Sequence, residues 1–205
     1  MEHIVVFALP NHFAAWPANN GLWSWDDAEL VVGFTLGAYR VSSGHNILPP
    51  YRSLLARSLD GGLTWQQGEG VVDLPMRGAM EASVAELPDG ALVMSLRTQL
   101  GAVFLSRSYD EGETWSLPQT TGLAAPESCT CLRNIPGTGD LLLLWNDSLY
   151  DPAHHHYGVR TPLSLALSRD RGRTWDKVTD IAHQKGYNFT NLGCDFVDEC
   201  HAIVT

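Results

Sequence analysis

The chain has 205 residues, 44% of them hydrophobic and 18% charged, which is enough apolar surface for a packed core and too little charge for a disordered chain. Its formal net charge of −10 argues against nucleic acid or an anionic membrane as the main partner, although a local arginine cluster can still hold an anion. Nineteen Gly, eleven Pro and seven Trp call for many turns and broad aromatic plugs, which favours an all-β fold.

From the start of the chain, residues 4–10 are apolar but follow Glu2 and His3 with no basic stretch. No signal peptide is expected, no run reaches membrane-span length, and the cytoplasm is the default compartment. Strands are expected over 30–34 and 53–57. A clearer unit follows: a strand over 82–87, the tight turn Pro88-Asp89-Gly90, a strand over 91–98, a turn near Gly101, a strand over 103–108, and a strand from Trp115. Strands over 140–145 and 163–167 belong to a third unit, with an irregular insertion over 146–161 between them. A fourth unit begins near Tyr187, and 202–205 is apolar. Cys129, Cys131, Cys194 and Cys200 lack zinc-site spacing and read as free thiols.

One octapeptide pattern, S-x-D-x-G-x-T-W, recurs without gaps at Ser58–Trp65, Ser108–Trp115 and Ser168–Trp175, with Asp60, Asp110 and Asp170 spaced by 50 and 60 residues. The residue types have a mechanical reason. The aspartate accepts hydrogen bonds from the backbone of its own turn, the glycine two residues later supplies a positive φ, and Trp65, Trp115 or Trp175 packs a broad face against the unit. Each box is therefore a hairpin staple, and three at blade-sized spacing predict four-stranded blades.

These boxes resemble the BNR/Asp-box repeats of the sialidase (neuraminidase) superfamily. The resemblance implies a β-propeller, six-bladed in that family, of which this chain would form about three and a half blades. The expectation is one domain over 1–205, truncated at its C-terminus or completed by a homo-oligomer. It also implies a glycan or acidic sugar as partner, no cofactor, and no metal.

The resemblance extends to single residues. Glu81 and Arg97, sixteen apart, match the segment linking the family's catalytic glutamate to the second arginine of its triad. Arg160, before the third box, resembles the third arginine, and Tyr187 falls near the nucleophilic tyrosine. Planar guanidiniums grip a carboxylate through paired, charge-assisted hydrogen bonds. A neutral phenol avoids repulsion by the substrate's own charge, and a glutamate can take its proton; sialidases are the known tyrosine-nucleophile exception among glycosidases. The implied activity is exo-glycoside hydrolysis with retention. Each residue also has a plain alternative: Glu81 and Arg97 as exposed strand-end charges, Arg160 as a partner of Asp151, and Tyr187 as a half-buried blade-edge aromatic.

The pattern fails in two places. Where the family opens with Arg-Ile-Pro, this chain reads Ala15-Trp16-Pro17, so the first arginine is missing. The loop over 37–50, where the family carries an acidic general acid, holds no Asp or Glu and offers only Arg40 as a substrate contact and His45 as an acid. Asn19, Asn20, Trp23 and Trp25 are candidates for a sugar platform or for the core. In His154-His155-His156, read as extended, only the first and third side chains share a face, and no third metal ligand accompanies them. A non-catalytic carbohydrate-binding propeller and an inert fragment are the competing readings.

Overall fold

The computed structural model describes residues 3–16, 21–24 and 28–205; the expectations for Asn19, Asn20 and Trp25 lie outside the described residues. Among the described residues, the regular structure is extended apart from one 3₁₀ turn, His155–Tyr157. The strands are β1 (His12–Ala15), β2 (Leu22–Ser24), β3 (Leu30–Tyr39), β4 (Ile47–Ser58), β5 (Gln66–Gln67), β6 (Met80–Glu86), β7 (Leu92–Arg97), β8 (Ala102–Ser108), β9 (Gln119–Ala124), β10 (Cys131–Asn134), β11 (Leu141–Asn146), β12 (Leu163–Ser168), β13 (Asp176–Ala182), β14 (Cys194–Phe196) and β15 (Ala202–Val204). They form successive antiparallel sheets, β1-β3-β4-β5 with β2 also on β3, β6-β7-β8-β9, and β10-β11-β12-β13, followed by the hairpin β14-β15. This is a partial β-propeller, three blades and the start of a fourth.

Two expected boundaries move. The stretch over 37–50 is loop only over 40–46: β3 runs to Tyr39, β4 begins at Ile47, and Ala38 pairs with Leu48. The fourth strand of the second blade begins at Gln119 rather than Trp115, because Trp115 is still held by its box.

The boxes work as staples. In the first, Asp60 accepts from the Thr64 backbone N–H at 2.8 Å and from its hydroxyl at 2.6 Å, while Ser58 Oγ donates to Asp60 and accepts from Gly62 N–H. The second and third boxes repeat these bonds around Asp110 and Asp170. Gly62, Gly112 and Gly172 all have φ between +79° and +91°. The donors, the threonine hydroxyl first, hold each aspartate at a pKa of about 2, so the acceptor stays charged across the neutral range.

The boxes also join one blade to the next. Trp115 covers a cluster built from Val31 and Leu55 of the first blade and Val84 and Leu92 of the second. Trp175 covers Leu105 and Val93 of the second blade and Leu141 and Leu143 of the third. Polar links follow the same path: Arg57 pairs with Glu111 at 3.0 Å, Arg107 donates to the Arg171 carbonyl at 2.7 Å, and Arg171 pairs with Asp89. The second and third staples thus dock on the preceding blade, and the two largest core clusters lie between blades, while Trp65 of the first staple packs on Phe34, Leu36, Leu54 and Ala56 within its own blade. Cys129, Cys131 and Cys194 are buried thiols and Cys200 is an exposed one; burial pushes Cys131 up to about 11.

Candidate active site

Glu81 is the second residue of β6, at an irregularity where the pairing with β7 shifts between Met80 and Ser83. Its φ is +45°, a left-handed geometry unusual for a glutamate. Such a break in the ladder re-aims a side chain, and Glu81 turns inward with a relative exposure of 7%. Arg97 ends β7 opposite Met80 and is equally buried. It donates to Glu81 Oε2 at 2.8 Å and to Glu127 Oε1 at 3.2 Å. Neither residue is the exposed strand-end charge that was the plain alternative. Burial pulls the Arg97 guanidinium down, but the carboxylates of Glu81 and Glu127 outweigh it and leave the pKa raised.

Two residues that sequence reasoning missed complete the cluster. Glu127, in the link between β9 and β10, is fully buried. Oε1 accepts from Arg77 as well as Arg97, Oε2 accepts from Gln99 at 3.2 Å, and its backbone carbonyl accepts from Arg160 Nη2 at 3.1 Å. Arg77 precedes β6 and also donates to the Tyr51 hydroxyl at 2.8 Å, with its guanidinium carbon 4.6 Å from that ring's centroid. The turn that carries it is tight. Gly78 has φ +87°, and a Cβ there would sit 1.9 Å from the Tyr51 carbonyl oxygen, so only glycine fits.

Arg160 stands near the end of the insertion over 146–161. The histidines of this insertion do not alternate along a strand as expected; His155 and His156 begin a 3₁₀ turn with their rings 3.9 Å apart. The Arg160 carbonyl accepts from Phe189 N–H at 2.9 Å, and its own N–H donates to Asn188. The plain alternative, a pairing with Asp151, is not what it makes: its Nη2 donates to the Glu127 carbonyl. Among the described residues Arg160 makes no ion pair, while Arg77 and Arg97 both do. Burial, then the neighbouring Arg97, lowers its pKa. Burial and the charge of Arg160 also depress His156 to about 4, so that imidazole is neutral at neutral pH.

Arg77, Arg97 and Arg160, the carboxylates Glu81 and Glu127, His45, His155, His156, Tyr51 and Tyr157 line one cavity of about 480 Å³. Three guanidiniums face two carboxylates, which leaves one formal positive charge in a strongly acidic chain. Trp16 closes the wall, its ring edge-on to His45 at 5.2 Å. Four sequence candidates therefore meet here: Glu81, Arg97, Arg160 and His45. Two do not line the cavity. Arg40 is exposed just beyond β3, and Tyr187 is 66% exposed, its N–H bonded to Gln184 in a turn. Asn191, four residues on, does line it. A larger cavity of about 900 Å³ lies along the inner strands, with Trp23 on its wall. Among the described residues its one arginine, Arg133, donates to the Leu132 and Cys194 carbonyls and to the Ser83 hydroxyl.

The profile of the BNR repeat-like domain matches residues 8–194. No curated protein matches the chain. Among solved structures, the K499G mutant of the NanB sialidase from Streptococcus pneumoniae superposes with a TM-score of 0.64 at 19% identity, covering 89% of this chain and 26% of that one. A protein of unknown function from Dyadobacter fermentans gives 0.59 at 21% identity, covering 89% and 47%. A glycosyl hydrolase from Bacteroides ovatus gives 0.51 at 14% identity, covering 90% and 54%. The chain thus spans about a quarter of the NanB chain's length, and the likeness at these identities is one of fold.

Proposed function

Because this chain belongs to the BNR repeat-like domain family of the sialidase superfamily, we propose that its arginine cavity recognises the carboxylate of an acidic sugar, sialic acid or a uronic acid. The observation that carries the reading is Arg160: half-buried, lowered in pKa by burial and by a second arginine, and without an ion-pair partner among the described residues. A desolvated guanidinium of this kind gains from an anion, and a sugar carboxylate matches its planar fork. Arg77 takes the role left open by Ala15, supplying a third guanidinium from the turn before β6.

The hydrolytic form of the proposal joins Glu81 and His45 of the cavity to Tyr187, which lies outside it and would have to turn inward. The Tyr187 oxygen forms the bond to the anomeric carbon, Glu81 takes the phenol proton, and the glycosidic C–O bond breaks as His45 protonates the leaving oxygen. Water then reverses the steps with retention. The exposed turn that carries Tyr187 favours the second reading, recognition of the sugar without turnover.

Isothermal titration with N-acetylneuraminic acid tests recognition. Arg160→Ala is expected to weaken binding by about tenfold to a hundredfold, the worth of a charge-assisted bond; equal affinity removes Arg160 from the site. A fluorogenic sialoside separates the two readings. Turnover by the native chain that is lost in Tyr187→Phe supports hydrolysis, and binding without turnover supports recognition alone.

A further inference from the structure

One acidic residue bonds every cation of the arginine cluster. Glu127 touches all three guanidiniums: its carboxylate accepts from Arg77 and Arg97, and its backbone carbonyl accepts from Arg160. Its N–H donates to the His156 carbonyl at 3.0 Å, which ties the insertion carrying Arg160 to the same point. Gln99 holds the second carboxylate oxygen, fixing the side chain's rotation. The Glu127 side chain is 1% exposed, against 27% for that of Arg77, so of this pair it is the arginine that meets solvent.

We infer that Glu127 is a specificity-determining residue that matches the cavity to singly charged sugar acids and against doubly charged anions such as phosphate. This rests on the acidic-sugar reading above and adds the class of anion to it. With Glu81 and Glu127 both charged, three guanidiniums leave one formal positive charge, enough to neutralise a carboxylate. A dianion would leave a net negative charge beside partly buried groups, which is unfavourable. Without the Glu127 charge, Arg77 and Arg97 lose a shared ionic partner and the cavity carries two positive charges, the complement of a dianion.

The test measures the ratio of affinities for N-acetylneuraminic acid and inorganic phosphate at mildly alkaline pH, by isothermal titration. The native chain is expected to prefer the sugar acid. Glu127→Gln keeps the shape and removes the charge, and is expected to shift the ratio toward phosphate by about tenfold. Arg77→Gln with Glu127→Gln returns the formal charge to one and is expected to restore the native preference, which a purely structural role for Glu127 would not do. A folded Glu127→Gln with an unchanged ratio overturns the inference, as does a double variant that stays with the single one. If Glu127→Gln does not fold, Arg77→Gln alone, with no formal charge left, is expected to lose phosphate more than the sugar acid, and an unchanged ratio again overturns it. If the native chain binds phosphate but no sugar acid, and Glu127→Gln tightens phosphate, the acidic-sugar reading fails while the charge-setting role of Glu127 stands.

Discussion

Arg97→Leu is expected to destabilise the chain by about 3–5 kcal/mol, read as a lower urea midpoint, and to abolish sugar-acid binding. Arg97 joins β7 to β6 through Glu81 and to the following link through Glu127, with side-chain exposures of 10%, 9% and 1% for the three residues. Leucine fills much of the volume but leaves two carboxylates without their shared cation. An unpaired buried charge costs far more than an intact pair contributes, so the loss lies mainly in what remains behind. Arg169 offers the contrast. Its pair with Asp176 spans 3.6 Å between side chains 67% and 82% exposed, and Arg169→Leu is expected to change stability by less than about 1 kcal/mol. Similar midpoints for the two variants would mean that the buried cluster is not held by its charges.

The second large effect belongs to the interface between blades. Trp145→Ala is expected to cost about 3–5 kcal/mol. Trp145 is 1% exposed within the cluster that joins the second blade to the third, and its indole N–H donates to the Ala124 carbonyl at 3.1 Å. Truncation empties a large volume that neighbours from two sheets cannot easily fill, and it strips the carbonyl of its donor. Leu117→Ala, at a side chain 87% exposed, is expected to leave the urea midpoint almost unchanged. A small effect at Trp145 would contradict a core placed between blades.

The sequence made the staples legible because each one is local: Asp60, Ser58, Gly62 and Thr64 find one another within a single turn, and the repeats at Asp110 and Asp170 fix the blade spacing. Strand ends were harder. Pro49 and Pro50 broke the pattern of a strand that the pairing of Ala38 with Leu48 sustains, so tertiary pairing overrode local propensity. Glu81, Arg97 and Arg160 could be picked out by their order, but their burial could not, since that depends on a bulge at Glu81 and on Glu127, thirty residues beyond Arg97 in the chain. Glu127 gave no periodic signal; its surroundings, apolar Ala124-Ala125-Pro126 before it and Cys129 after it, are the hint that an acid there would be enclosed. Arg77 was hidden in the same way, and Gly78 beside it was the clue, a residue type that permits close backbone approach. The histidine run misled because extended geometry was assumed for what is a 3₁₀ turn.

The most direct measurement is a crystal structure of the native chain soaked with N-acetylneuraminic acid. Density for the sugar is expected with its carboxylate within hydrogen-bond distance of Arg160 and facing Arg77 and Arg97. A sugar seated instead among the inner strands beside Trp23 and Arg133, with the arginine cavity empty, would contradict the account.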